Sequence, residues 1–326
     1  QLTCVRPATT LRRGSFFAEA MEIKPIDFNK PPAEAPAILL PVASSVFADR
    51  ASRFDTLADQ HKLADWLNFL GHLTRAQHEA LQSLPAQSPD LPAIPASVLE
   101  QARQHHMPPL NATAAERPPV WRDVLRQIIA GLLPHAPEAS VPLLTSLAAA
   151  DDIRLEALAD GLLHGEPDPA AAGELPVVAA ALQVVFTAQA ARLDAMQLQK
   201  LDTPGVCPCC GSLPVASLVR LAPDVNNLRY LHCSLCNTEW NVPRATCTAC
   251  GGDKGLAQHQ IEGSNGAMRA ETCDSCKSYL KIAYQDKDPR IDPVADDLAT
   301  LALDLLVDEA GYGRSGPNLL LVNAAG

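Results

Sequence analysis

From about residue 40 to residue 200, apolar positions recur at the helical period. Val42, Val46, Phe47, Phe54 and Leu57 mark one amphipathic helix, and Leu63, Trp66, Leu67, Leu70, Leu73, Leu81 and Leu84 mark a second. The two are expected to pack together. Pro85, Pro89, Pro92, Pro95, Pro108, Pro109, Pro118 and Pro119 then break long helices and leave one short helical piece over 97–104. Periodicity resumes over 121–133, 139–149, 153–163 and 175–199. Ser140 and Asp151 or Asp152 suit N-caps, and Pro142 and Pro176 suit first turns. No alternating valine- and isoleucine-rich segment interrupts this stretch, which predicts six or seven helices.

The pattern changes at Thr203-Pro204-Gly205. Short candidate strands follow over 215–220, 228–232, 239–242 and 279–284, separated by cysteine pairs. Asp292-Pro293 then supplies an N-cap and first helical residue for a final helix. Its apolar seam, Val294, Leu298, Leu301 and Leu305, runs towards Gly311. The expected fold is α+β: a poorly ordered segment 1–36, an all-α domain 37–202, tandem metal-knuckle modules 203–245 and 246–290 of the rubredoxin or zinc-ribbon kind, and a C-terminal helix and tail 291–326.

Composition narrows the function classes. At 47% hydrophobic and 19% charged residues the chain is globular in character, and its net charge of −11 is the wrong sign for coating a polyanion or an anionic membrane. The longest apolar stretch, 175–191, carries Gln183, Thr187 and Gln189, so it suits a buried helix and not a membrane span. Arg12-Arg13-Gly14-Ser15-Phe16 has the look of a twin-arginine signal. Glu19, Glu22 and Lys24 stand where its apolar run should be, so a cytoplasmic location is expected. Residues 1–20, before Met21, are expected to lie upstream of the natural start.

The cysteines carry the chemistry. Of ten, Cys4 stands apart and nine fall between 207 and 276. Eight form four CxxC pairs: Cys207/Cys210, Cys233/Cys236, Cys247/Cys250 and Cys273/Cys276. Each cysteine of the first two pairs recurs 40 residues later, as do Gly211/Gly251 and Arg229/Arg269, so the segment is an internal duplication. The grouping that follows is two four-sulfur sites, one per repeat. A CxxC turn points both sulfurs to one side, and two such turns close a tetrahedron around a metal at about 2.3 Å per bond. A divalent ion with four thiolates is net −2, while residues 201–290 balance nine basic against nine acidic side chains. Tetrahedral sulfur suits zinc as a structural staple and rubredoxin-type iron alike. Redox dithiols are a third reading. Cys209 fits either a bystander thiol or a reactive one beside the metal, and His232 is a substitute ligand should a cysteine fail. His61, His72, His78, His105, His106, His135, His164 and His259 show no ligand spacing and are expected at the surface.

Several strings resemble the FdhE formate dehydrogenase accessory proteins. They are Cys207-Pro208-Cys209-Cys210-Gly211-Ser212-Leu213-Pro214-Val215, Leu228-Arg229-Tyr230-Leu231-His232-Cys233, Thr238-Glu239-Trp240, Tyr279-Leu280-Lys281-Ile282, Lys287-Asp288-Pro289 and Ala295-Asp296-Asp297-Leu298-Ala299. The resemblance covers about 37–314. It implies a cytoplasmic factor that contacts the catalytic subunit of formate dehydrogenase before export and self-associates as a homodimer. It further implies two tetrathiolate ions, iron in preference to zinc, on the eight paired cysteines. The family usually has another residue where this chain has Cys209.

Other motifs point the same way. The chain has no glycine-rich phosphate loop, nucleophile elbow or paired acid/base motif, so a non-enzyme is expected. Arg229, Tyr230, Trp240 and Tyr279 are candidate partner contacts by residue type, and each equally fits packing around its knuckle. The competing classes are a nucleic-acid-binding or adaptor zinc ribbon, disfavoured by the balanced charge, and a small electron carrier. Neither nucleic acid nor stable membrane insertion is expected.

Overall fold

Burial of the apolar stripes sets the helices. The computed structural model describes residues 35–84, 91–114, 116–221, 225 and 227–321. The expectations for residues 1–34 with Cys4, for Pro85 and Pro89 and for the last five residues lie outside that set. The helices are α1 (Val46–Ala58), α2 (Ala64–Ser83), α3 (Ala96–Gln104), α4 (Val120–Leu132), α5 (Val141–Ala148), α6 (Asp152–His164) and α7 (Leu175–Ala190). The first two pack side by side, and α7 lies against α2, α4 and α6. Fifteen of the sixteen residues of α7 are buried, as a helix apolar on all faces requires. It stops at Ala190, short of the expected 199, and the chain continues through a 3-10 turn at Ala195–Gln197. The Asp151 carboxylate caps α6 by accepting from the Arg154 amide, whereas the Ser140 hydroxyl makes no such bond at α5.

The sheet is a product of the duplication. Strands β2 (Pro214–Val219), β3 (Arg229–Cys233) and β4 (Glu239–Val242) come from the first repeat, and β5 (Leu256–His259), β6 (Met268–Cys273) and β7 (Ser278–Tyr284) from the second. With β1 (Ile38–Leu39) they lie in the order β1-β4-β3-β2-β7-β6-β5, and β8 (Gly313–Arg314) pairs β7. Within each repeat the strands are antiparallel. The repeats join head to tail, β2 running parallel to β7 with Ser217 opposite Ile282. Because of this arrangement β2 is wholly buried, while its counterpart β5 is largely exposed. At the other end β1 covers β4, Ile38 standing opposite Trp240.

The C-terminal helix departs from the expected single seam. Asp292 accepts from the Val294 and Ala295 amides, but the helix begins at Ala295 with Val294 at the cap position, two residues later than expected, and breaks at Thr300 into α8 (Ala295–Ala299) and α9 (Leu301–Glu309). The break shifts the phase: Leu298 is buried, Leu305 is 67% exposed, and the inward positions become Leu303 and Val307, packed on Tyr279. Lys281 accounts for it. Its ammonium rises from β7 and donates to the Asp297 and Thr300 carbonyls at 2.8 and 3.1 Å, a second donor for acceptors that the Thr300 and Leu303 amides reach at 3.2 and 3.0 Å.

One apolar cluster links the layers. It runs from Phe47 and Phe54 through α2, α4 and α7 to Leu231, Trp240 and Leu298, and it takes in Cys207, Cys210, Cys233 and Cys236. The first four-cysteine group is therefore built into the core.

Candidate metal centres

Each centre is made by two turns that face each other across a hairpin. At the first turn the Gly211 amide donates to the Cys207 carbonyl and the Cys207 amide to the Ser212 carbonyl, both at 2.9 Å. The second repeat copies this with Gly251, Cys247 and Gly252. Gly211 and Gly251 have φ of 83° and 74°, the left-handed region that glycine enters without strain, which explains their recurrence at the same offset. The second turns, Cys233 to Cys236 and Cys273 to Cys276, end likewise at left-handed Asn237 and Lys277, with φ of 58° and 54°.

The sulfurs fit a tetrahedral ion. In each of two groups, Cys207, Cys210, Cys233 and Cys236, and Cys247, Cys250, Cys273 and Cys276, the four Sγ atoms lie within 4.8 Å of one another, and each group could hold a metal ion. Contacts across the groups are 3.6 Å (Cys207–Cys236), 3.4 Å (Cys210–Cys233), 3.7 Å (Cys247–Cys276) and 3.8 Å (Cys250–Cys273). A tetrahedron with bonds of about 2.3 Å has edges of about 3.8 Å, whereas a disulfide would bring sulfurs to about 2.05 Å. The described cysteines are all free.

Donors near the sulfurs offset their charge. The Leu235 and Cys236 amides each donate to Cys233 Sγ at 3.4 Å. The Ser278 hydroxyl lies 2.9 Å from Cys276 Sγ, and 40 residues earlier the Cys236 thiol donates to the Thr238 hydroxyl at 3.2 Å. This pair of hydroxyls escaped the sequence reading, although the repeat offset marks it. Burial pushes the Cys207 and Cys233 thiols well up. At Cys236 burial is outweighed by hydrogen bonds from the neighbouring cysteines, which hold it well below the ordinary value. At Cys276 burial is outweighed by the Ser278 hydroxyl and amide, which bring it to about 7.

Cover distinguishes the two groups. The first four cysteines are each 0% exposed. In the second group Cys247 and Cys273 are buried and Cys250 and Cys276 exposed. Cys209 is buried beside Cys236 but outside the group of four. His232 is buried too and turned to other work: Nδ1 lies 3.0 Å from Glu239 and Nε2 3.1 Å from Asn237. Arg50 joins this network, donating to Asn237 at 2.8 Å and to Asp292 at 3.1 Å. Its place on α1 gave no hint of burial, because Asp292, the carboxylate that neutralises it, lies 242 residues away.

The four residues chosen as candidate partner contacts sit inside. Arg229, Tyr230, Trp240 and Tyr279 are 1%, 0%, 2% and 4% exposed. Arg229 pairs with Glu271 at 2.7 Å and donates to the Arg244 and Thr246 carbonyls, strapping the first repeat to the linker before Cys247. Tyr230 donates to the Pro36 carbonyl, Trp240 to the Pro204 carbonyl and Tyr279 to Asp304. Their side chains are thus committed to this chain, the packing alternative their types allowed.

The chain matches three family models in succession: FdhE, N-terminal (residues 35–203), FdhE, central domain (206–244) and FdhE, C-terminal domain (245–321). It is 40% identical over 285 residues to a protein FdhE homolog of Edwardsiella ictaluri, covering 87% of this chain and 91% of the relative. A homolog from Rhizobium meliloti is 39% identical over 287 residues, covering 87% and 92%. The crystal structure of the FdhE protein from Pseudomonas aeruginosa superposes with a TM-score of 0.75 at 34% identity, covering 88% of this chain and 99% of that one. On sequence, architecture and the paired cysteine groups together, the chain belongs to the FdhE family.

Proposed function

We propose that this chain is an accessory factor for formate dehydrogenase, binding the enzyme's catalytic subunit in the cytoplasm during maturation and carrying one metal ion in each four-cysteine group. The observation that carries the reading is the duplicated group of four sulfurs at tetrahedral spacing in a chain of the FdhE family. Cys207, Cys210, Cys233 and Cys236 would hold one ion and Cys247, Cys250, Cys273 and Cys276 the other. Iron follows from the family resemblance, and zinc fits the same sulfurs. A bound ion crosslinks the two turns of each hairpin, and iron would add one-electron chemistry.

The chain's own residues do the rest. Ser278 and the turn amides offset sulfur charge, Arg229 fixes the spacing of the repeats, and α7 covers the first group. The reading assigns the chain no turnover of its own and no nucleic-acid partner. A homodimer follows from the resemblance alone.

The test is recovery of the catalytic subunit on the tagged full chain, compared with Cys233→Ser/Cys236→Ser and with Cys276→Ser. Reduced recovery with the variants is expected. Failure of the unaltered chain to retain the subunit would overturn the partner assignment, and equal recovery by all three would remove the metal groups from recognition.

A further inference from the structure

The duplication supplies an internal comparison, since one ligand set on one turn geometry occurs twice under different cover. Over the first group the helical layer is bonded directly to the turns. The Leu110 and Ala112 amides donate to the Cys209 and Cys210 carbonyls at 3.0 and 2.8 Å. From α7, Gln183 donates to the Ser234 carbonyl, and Asn237 donates back to Thr187, both at 2.8 Å. At the second group, residues 249–251 and 274–277 are exposed along with Cys250 and Cys276. Among the described residues no bond reaches these turns from α1 to α7.

We infer that the two groups have separate roles: the first keeps its ion for the life of the fold, and the second exchanges its ion with thiol or nitrogen donors through the face bearing Cys250 and Cys276. The inference rests on the metal reading proposed above. In an exchange step an outside donor bonds the ion as the Cys250 or Cys276 sulfur leaves it. The freed thiolate takes a proton from water, and no electron moves. A donor reaches the second group directly, because the shell around a site sets solvent access. To reach the first, the contacts of α7 and of residues 110–112 must part, which is a sub-global opening.

The experiment mixes the full chain carrying two ions with a pyridylazo-resorcinol chelator in non-denaturing buffer and follows the coloured complex. One ion per chain is expected to leave quickly and the other at least about tenfold more slowly, because only the second release waits on opening of the fold. Iodoacetamide added after the fast phase is expected to label Cys250 and Cys276 and to spare Cys207, Cys210, Cys233 and Cys236. Cys276→Ser is expected to lose the fast phase and keep the slow one. Should that variant not fold, the labelling of the unaltered chain decides. Release of both ions in one phase, or labelling of the first group during the fast phase, would overturn this inference alone. A preparation with no ion before chelator is added would overturn the metal reading and the inference with it.

Discussion

Replacing Lys281 by Met tests whether the sheet and the C-terminal helices are joined as described. The Lys281 ammonium is 0% exposed and pairs with Asp297 at 3.3 Å and Asp304 at 2.5 Å, while Arg314 pairs with the same two carboxylates at 2.8 and 3.0 Å. The four charges balance. Met keeps most of the volume but leaves two carboxylates facing one guanidinium. Removing one partner of a buried pair costs about 3–5 kcal/mol. Asp304 keeps some solvent contact and Arg314 remains, so the lower end applies, at about 3 kcal/mol. The Asp297 and Thr300 carbonyls also each lose one donor while keeping the Thr300 and Leu303 amides, adding at most about 1 kcal/mol. The sum is a large share of a typical stability of about 5–15 kcal/mol and corresponds to a melting shift of roughly 6 °C for a chain of this size. The assay is urea unfolding of the metal-loaded chain, with hydrogen exchange on 301–309 as a local readout. Lys281→Met/Asp304→Asn restores the charge balance and is expected to regain part of the loss. A loss under about 1 kcal/mol would refute the reasoning, since it would mean the pair is solvated and not buried.

Three further outcomes are expected. Cys209→Ser should leave the metal content unchanged, because Cys209 lies outside the group of four; loss of an ion by elemental analysis would make it a ligand. Gly316→Ala should destabilise by about 1–3 kcal/mol in thermal unfolding, as its Cβ would fall 1.9 Å from the Pro214 carbonyl; a neutral effect would contradict the close approach. Burial would raise Asp297, but Lys281 and Arg314 outweigh it and hold the carboxyl below its ordinary range. A depressed carboxyl stabilises fully above its unfolded value, near pH 4, and that contribution is lost as pH falls through the folded value. The stability gap between the wild-type chain and Asp297→Asn, measured by urea midpoints, should therefore shrink below about pH 4 and stay constant above pH 5. A gap that widens in acid would reverse the sign.

The parts legible in the sequence were those with short-range rules. Apolar periodicity placed α1, α2 and α4, whose stripes pack on a single neighbour layer, and the 40-residue offset grouped the cysteines by repeat. Strands β5 and β6 were missed because Leu256 to His259 and Met268 to Cys273 lack a β-branched alternation, although the offset from β3 marks β6. The kink at Thr300 was hidden because its cause, Lys281, comes from another element. The candidate contacts Arg229, Tyr230, Trp240 and Tyr279 were chosen by type, which does not reveal burial. Nor could the spacing show that one cysteine group lies under α7 and the other at the surface, since the two repeats have the same ligand pattern.

Native mass spectrometry of the freshly isolated full chain tests the central claim most directly. The account predicts a mass equal to the polypeptide plus two metal ions, less the protons that eight coordinating thiols give up. A metal-free mass, or one short by two hydrogens for each of several disulfides among those eight cysteines, would contradict it.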